Sequence, residues 1–417
     1  MIEYGLIGEK LRHSFSKEIH RYIGRYDYRL MEIPPSELRT FLTEKKFKAV
    51  NVTIPYKHQV IPFLDEISQA AKAIGAVNCI RNDDGRLIGH NTDFDGLSAL
   101  LKRTCKEPAG KKILILGTGG TSDTACAVCK NANAGEIIKV SRNKVGQSSG
   151  IETVTYEEAV KHHSDIEIII NTTPCGMYPD VFSKPVDISR FGQLKAVVDV
   201  IYNPLRTMLV AQAKELGIAA EGGLYMLVAQ AVKASEFFLS TKYDDSLIDE
   251  IYEKVHGQKT NIVLTGMPAS GKSTIGAVLA ETLGRELIDT DELIEKNQSM
   301  SISEIFEKYG EEYFRDAESE AIKEVSSRNG IVIATGGGAI LRQENIDNLK
   351  LNGTVCFIDR DPKDLVPTKD RPTAFNGTEM EKRYKERYGI YVSTAEHIVK
   401  NDSSAEDAAK KIMEILK

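Results

Sequence analysis

The chain has no tryptophan, and only six of its 417 residues are cysteine. The six are scattered along the whole length, which suits a reducing compartment and excludes a small scaffold stapled by disulfides. Cys126 and Cys129 form C-x-x-C, but among Ala and Val on an expected helix they read as small buried side chains before they read as redox chemistry. No run of about 18 apolar residues occurs, so no membrane-spanning helix is expected. The nearest candidate, residues 224–239, is broken by Lys233 and Glu236. The N-terminal MIEYGLIGEK lacks a basic segment followed by an apolar one, so no signal peptide is expected, and the protein reads as cytoplasmic. Positive charge is not in excess: the net charge of −6 argues against nucleic acid or an anionic membrane as partner. Internal repeats and low-complexity tracts are also missing.

What is present is an ordinary globular composition, 41% hydrophobic and 27% charged, over a length that predicts two to three domains. Short apolar runs alternate with helical patterns: strands are expected at 4–7, 28–33 and 49–54, with helices at 16–24 and 36–45 between them. That βαβ rhythm predicts an α/β protein with largely parallel sheets. A helix over 93–102 leads out of this unit. Strands follow at 111–116, 136–140, 166–171 and 196–201, then helices at 204–216 and 225–240. The polar stretch 241–260 reads as a closing helix plus linker, with a boundary near Gly257. Beyond it a further strand–helix series runs to the end.

Two glycine-rich turns sit between a strand and a helix. The later one, Gly266 to Ser273, reads GMPASGKS after the apolar run Asn261 to Thr265. It fits G-x-x-x-x-G-K-[ST], in which backbone N–H groups cradle phosphates, the lysine reaches the β- and γ-phosphates and the Ser or Thr binds Mg²⁺. Lys272 and Ser273 take those places. The earlier turn, Gly117-Thr118-Gly119-Gly120, follows KKILIL and opens a helix, as in a dinucleotide-binding unit. Its third glycine is absent, since position 122 is Ser. The next strand ends in Ser141-Arg142 and not in an acidic residue, which suits a 2′-phosphate and hence NADP over NAD.

Polar clusters mark other strand ends in the first half: Ser14 and Ser16, Asn51 to Lys57, Gly75 to Asn78, and Gly89 to Asp93. Hydroxyls, amides, one Lys and one Asp suit a neutral polyol, and a Lys beside an Asp suits a carbonyl–alcohol interconversion. Taken singly, each also suits cap or turn chemistry, with Asp93 as a helix cap. Together HSFS, NVTIPYK, GAVN, NTDFDG, GTGG, NTTPCGM, DVIYNP and GGLYMLVAQ resemble the signature blocks of shikimate dehydrogenase, across roughly residues 2–254. The resemblance implies that Ser14, Ser16, Thr53, Asn78 and Gln230 hold a substrate carboxylate and hydroxyls. It implies that Lys57 and Asp93 flank the reacting oxygen, that Tyr202 lies nearby, and that Gly117, Gly119, Gly120 and Arg142 hold NADP. Two positions depart from the family pattern: Lys17 stands where a Pro is usual, and Ser141-Arg142-Asn143 where Asn-Arg-Thr is common.

In the last 160 or so residues, Asp289-Thr290-Asp291 ends a short strand, Arg315 and Arg387 offer bidentate grips for a carboxylate, and Gly336 to Gly338 admits a close ligand. Asp289 can support Mg²⁺ through water, and Asp291, on the same side of an extended chain, can accept a hydroxyl proton. Arg371 lies in a polar stretch, 360–378, suited to a lid. GMPASGKST, LIDTD, FRDAE, TGGGA, RP and ERYGIY resemble shikimate kinase, over 261–417. The resemblance implies that Asp291, Arg315, Gly337, Gly338 and Arg387 bind shikimate, that Lys272 and Arg371 neutralise the transferring phosphoryl group, and that Gly266, Ala269, Ser270, Gly271, Lys272, Ser273 and Thr274 hold ATP. It departs at the lid, where no Arg sits at the family's adenine-stacking position.

The expectation is therefore a bifunctional enzyme of the shikimate pathway. It has an α/β substrate domain (1–100 plus 226–256), a Rossmann-like NADP domain (101–225) and a P-loop domain like the nucleoside-monophosphate kinases (259–417). NADPH, ATP and Mg²⁺ are its cofactors, small molecules its only partners, and monomer and homodimer both stay open. Two alternatives stay open as well: a kinase-like module that only binds or regulates, and a quinate or shikimate dehydrogenase preferring NAD.

Overall fold

Runs such as Lys112–Leu116 (KILIL) and Ile168–Asn171 (IIIN) are apolar at nearly every successive position. A strand of that kind must be covered on both faces, which parallel sheets with helices on either side provide. The computed structural model describes residues 3–11, 14–143, 150–365 and 377–416. Residues 1–255 form one compact unit and residues 256–417 another. The division falls within the helix Ser246–Lys259, so the expected linker near Gly257 is helical: Ile248, Ile251, Tyr252 and Val255 bury one stripe in the first unit's core, and that stripe holds the segment in a helix.

The first unit holds two six-stranded sheets. One consists of β1 (Tyr4–Gly8), β2 (Tyr28–Glu32), β3 (Ala49–Val52), β4 (Glu66–Ile67), β5 (Cys79–Asp83) and β6 (Arg86–His90), in the order β2-β1-β3-β5-β6-β4. Its β1, β2 and β3 are parallel, but β5 pairs antiparallel with both β3 and β6. The second sheet consists of β7 (Lys112–Leu116), β8 (Glu136–Ser141), β9 (Glu152–Thr155), β10 (Ile168–Asn171), β11 (Ala196–Asp199) and β12 (Ala219–Glu221), parallel throughout in the order β12-β11-β10-β7-β8-β9. The helix expected from Pro204 begins only at Met208, because Thr207 caps it by accepting the Val210 N–H.

Helices Asp93–Thr104 and Leu224–Leu239 pack together, the first against β11 and β12 and the second against β5, and so tie the two sheets to each other. Gly96 permits the approach. A Cβ there would lie 2.7 Å from Met226 O and 3.0 Å from Gln230 Cβ. The same contact sets Asp93, one turn earlier, near Gln230.

The second unit has one parallel sheet of β13 (Asn261–Thr265), β14 (Leu287–Asp289), β15 (Val332–Ala334), β16 (Gly353–Asp359) and β17 (His397–Lys400), ordered β14-β15-β13-β16-β17. The Gly266–Ser273 turn leaves the central strand and leads into the helix Lys272–Leu283. Helices Gln343–Asn352 and Gly377–Thr394, which the sequence reading did not separate from loop, complete the layers.

Candidate active sites

In the first unit the side chains expected at a polyol site line one cavity of about 560 Å³. Ser14 and Ser16 come from the turn after β1, Thr53 and Lys57 from the chain after β3, and Asn78 from the residue before β5. Asp93, Tyr202 and Gln230 complete the set. The Lys57 ammonium lies 2.6 Å from Asp93 Oδ2, with the two side chains only 28% and 15% exposed. Asn78 Nδ2 donates to Asp93 Oδ1 at 3.0 Å, and Asn78 Oδ1 accepts the Thr92 N–H at 2.8 Å. One carboxylate oxygen thus faces the ammonium and the other an amide, so the pair is held in one orientation. Asp93 is not the helix cap; it is the first helical residue, after Thr92. Tyr202 sets its ring edge-on to buried Phe15 at 5.4 Å, and burial raises its hydroxyl pKa.

Sequence reasoning passed over His20 and named Asn51 only as the start of a polar cluster; both also line the cavity. The Tyr28 hydroxyl donates to Asn51 Oδ1 at 2.7 Å, and the His20 ring stacks on Tyr28 at 3.8 Å. Burial holds the His20 pKa down at about 3, so the imidazole is neutral at pH 7. Asn51 lay inside the quoted NVTIPYK block. His20 gave no signal beyond its place on the apolar face of a helix.

The helix after the earlier glycine turn meets the same cavity at Thr121. Gly120 opens the helix Gly120–Asn131, and its cap residue Gly119 provides no side-chain bond. Nothing lies within 4 Å of where a Cβ would stand on either glycine. An open helix N-terminus of this kind fits a pyrophosphate. Gly117 lies against Thr172 and Thr173 of the loop after β10, and the Thr172 hydroxyl donates to Leu116 O at 2.6 Å. That loop rests on a buried cluster in which Asp199 accepts from Asn171 Nδ2 (3.0 Å), Thr207 Oγ1 (2.7 Å) and the Ile201 N–H (3.1 Å). Burial raises the Asp199 pKa to about 6. Arg142 is exposed just past β8. Cys126 and Cys129 are both buried, and burial raises both thiol pKa values.

In the second unit Lys272 Nζ donates to Gly266 O at 2.9 Å and Met267 O at 2.8 Å, across the loop that Ala269, Ser270 and Gly271 complete before Thr274. Asn401 Nδ2, another residue the sequence reading missed, holds Ser270 O at 2.8 Å. The Ser273 hydroxyl donates to Asp289 Oδ2 at 2.6 Å. A hydroxyl and a carboxylate side by side beside a phosphate loop fit a hydrated Mg²⁺. Asp289 Oδ1 accepts the Asp291 N–H at 3.0 Å, so Asp289 caps the helix Thr290–Gln298 as well. Asp291 therefore stands in the first helical turn and not on extended chain, because the cap turns the backbone one residue earlier.

Asp291 still meets the glycine strip. A Cβ on Gly336 would lie 2.6 Å from Asp291 Oδ1 and 2.9 Å from Glu318 Oε1, and one on Gly338 would lie 2.1 Å from Arg315 Nη1. Arg315 Nη1 donates to Glu318 Oε2 at 2.7 Å. Glu318 is fully buried and burial raises its pKa, with Arg315 opposing. The carbonyl of Gly337 accepts from Arg387 Nη1 at 3.1 Å and from the Tyr391 hydroxyl at 2.6 Å. Glu318 and Tyr391 were not singled out from sequence, although they lie within or beside the quoted FRDAE and ERYGIY blocks. Arg371, with most of the expected lid, lies outside the described residues.

Comparison with known proteins finds a different family in each of the two units. A family model for the shikimate dehydrogenase substrate binding domain matches residues 6–80, and one for shikimate kinase matches residues 268–417. The chain is 38% identical over 265 residues to the shikimate dehydrogenase (NADP(+)) of Clostridium perfringens (strain ATCC 13124), covering 60% of this chain and 97% of that one. Among solved structures, a chorismate mutase/shikimate 5-dehydrogenase fusion protein from Clostridium acetobutylicum is similar at 36% identity and TM-score 0.57, covering 61% of this chain and 97% of that one. Shikimate 5-dehydrogenase from Thermus thermophilus in complex with NADP(H) and shikimate is similar at 28% identity and TM-score 0.55, covering 61% and 99%. The chain belongs to the shikimate dehydrogenase family through its first unit and carries a shikimate kinase domain as its second, an oxidoreductase and a kinase in one polypeptide.

Proposed function

We propose that the first unit reduces 3-dehydroshikimate to shikimate with NADPH, and that the second phosphorylates shikimate with ATP to give shikimate 3-phosphate. The observation that carries the reading is the 2.6 Å Lys57–Asp93 pair inside a cavity that Thr121, next to the glycine turn, also lines. NADPH, bound by Gly117, Gly119, Gly120 and Arg142, would supply the hydride. Lys57 is placed to give a proton to the ketone oxygen, or to hold its developing charge, while Asp93 and Asn78 fix the ammonium's position. Ser14, Ser16, Thr53 and Gln230 would take the remaining polar groups of the substrate, and Tyr202 also lines the cavity.

In the kinase domain ATP would supply the phosphoryl group, with Mg²⁺ held by Ser273 and, through water, Asp289. Asp291 accepts the proton of the attacking hydroxyl. Arg315, Arg387 and the Gly337–Gly338 backbone grip the acid, with Arg315 aimed by Glu318. Lys272 and Arg371 offset the charge of the transferring group. Among the described residues no helix is long and apolar enough to cross a membrane, and all six cysteines are free thiols. The free thiols suit a reducing compartment, and a cytoplasmic location is part of this proposal.

The test is a paired assay on one preparation. NADPH oxidation with 3-dehydroshikimate and ADP release with shikimate are both expected. A folded protein that releases no ADP would favour a binding or regulatory module, and faster turnover of quinate with NAD⁺ than of shikimate with NADP⁺ would overturn the first assignment.

A further inference from the structure

We propose that Lys10 is the counter-ion for the carboxylate of the dehydrogenase substrate and thereby sets the cavity's preference for a monoanionic ring acid. The inference rests on the reading above. Of the described residues that line the cavity, Lys10, His20, Lys57 and Asp93 are the ones whose side chains can carry a charge near neutral pH. Lys57 and Asp93 cancel at 2.6 Å, and buried His20 is neutral. Among the described lining residues Lys10 then leaves a net charge of plus one, the complement of one carboxylate.

The local chain explains how a lysine comes to face this cavity. Leu11 is buried, and its N–H donates to Glu32 Oε1 at 2.8 Å, which anchors the residue next to Lys10. The chain then turns, with the Ser14 N–H on Leu11 O at 3.2 Å. Lys10, Ser14 and Ser16 all line the cavity from this one short stretch, and Phe15 between the serines is buried. Ser14 Oγ accepts the Ser16 N–H at 3.2 Å, which leaves the Ser14 proton to point at an acceptor. Lys10 itself makes no hydrogen bond or ion pair with any described residue. An ammonium and two hydroxyls lining one cavity are the chemistry that recognises a carboxylate. Lys10 and Lys17 are both exposed, but of these two only Lys10 lines the cavity.

The experiment uses the full chain and compares Lys10→Gln and Lys10→Arg with the unaltered protein, with kinase turnover as a standard for active protein. Initial rates of NADP⁺ reduction are measured with shikimate and with its methyl ester, at salt concentrations of about 20 and 300 mM. Lys10→Gln is expected to raise KM for shikimate about three- to tenfold with kcat within about twofold, as for one partly exposed ion pair. Lys10→Arg is expected to restore KM, and KM for the uncharged ester is expected to ignore the substitution. In the unaltered protein KM for shikimate, but not for the ester, should rise with salt, a result that needs no variant to fold. A KM for shikimate that Lys10→Gln leaves unchanged, or an equal rise for acid and ester, overturns the proposal. An unaltered protein that oxidises neither compound brings down the dehydrogenase reading itself, a distinct result.

Discussion

Lys57 and Asp93 come from different elements of the first unit, 36 residues apart, and meet at 2.6 Å with a third group, Asn78, fixing the free carboxylate oxygen. A contact of that kind only persists if the backbone of each partner is held. Lys57 follows β3, and Asp93 opens a helix whose packing is set at Gly96.

Lys57→Ala is expected to lower kcat of NADPH oxidation by about two to four orders of magnitude, the range for a positioned proton donor. ATP-dependent phosphorylation by the same preparation should stay within about twofold of the unaltered rate. Lys272→Ala should do the reverse. A loss of both activities from either change, in folded protein, would show that the two sites do not act independently.

A methyl group at Gly338 fits only if the Arg315 guanidinium moves, since a Cβ would stand 2.1 Å from Arg315 Nη1. Gly338→Ala must push the guanidinium off Glu318. A rise of about tenfold or more in kinase KM for shikimate, with KM for ATP little changed, is the expected outcome. Steady-state kinetics with each substrate varied in turn would check it, and an unchanged KM for shikimate would contradict it.

Ser273 and Asp289 lie at 2.6 Å. Asp289→Asn keeps the shape and the helix cap but removes the site's negative charge, so the Mg²⁺ concentration for half-maximal kinase rate should rise about tenfold. Dehydrogenase rates at the same Mg²⁺ levels serve as the control and should not move.

Two buried groups of the first unit pull its pH dependence in opposite directions. Asp199 has its folded pKa raised to about 6 by burial, so it binds more protons folded than unfolded, and its contribution is lost as pH rises from about 4 to about 6. His20, held down at about 3, binds fewer protons folded, and its contribution is lost as pH falls from about 6.5. Shifts of this size correspond to roughly 3 to 5 kcal/mol each, as an upper figure. Asp199→Asn should therefore make unit-one stability fall more steeply on acidification, and His20→Gln should make it fall less. Urea midpoints between about pH 4 and 7 read both slopes; unchanged slopes would count against these assignments.

The sequence alone determined the kinds of element and the chemistry of the loops. Parallel β7 and β13 were legible because apolar runs stood directly before glycine turns, and each turn's role follows from backbone geometry that side-chain identity reports. The antiparallel β5–β6 hairpin went unread although its signal was there: Asp84 and Gly85 carry φ of 50° and 92°, the pairing that an Asp-Gly hairpin turn needs. Helix Ser246–Lys259 was cut short because a glycine and polar residues read as linker, whereas its buried stripe overrode that local preference. Only the tertiary structure decided which polar residues share a cavity. His20 and Lys10 carry no pattern that separates them from other helix or turn residues, and they join the site only because the fold brings them to the cavity that the polar cluster from Asn51 also lines. Glu318 and Tyr391 are of the same kind, since a carboxylate or phenol reveals its role only through the guanidinium or carbonyl that burial sets beside it.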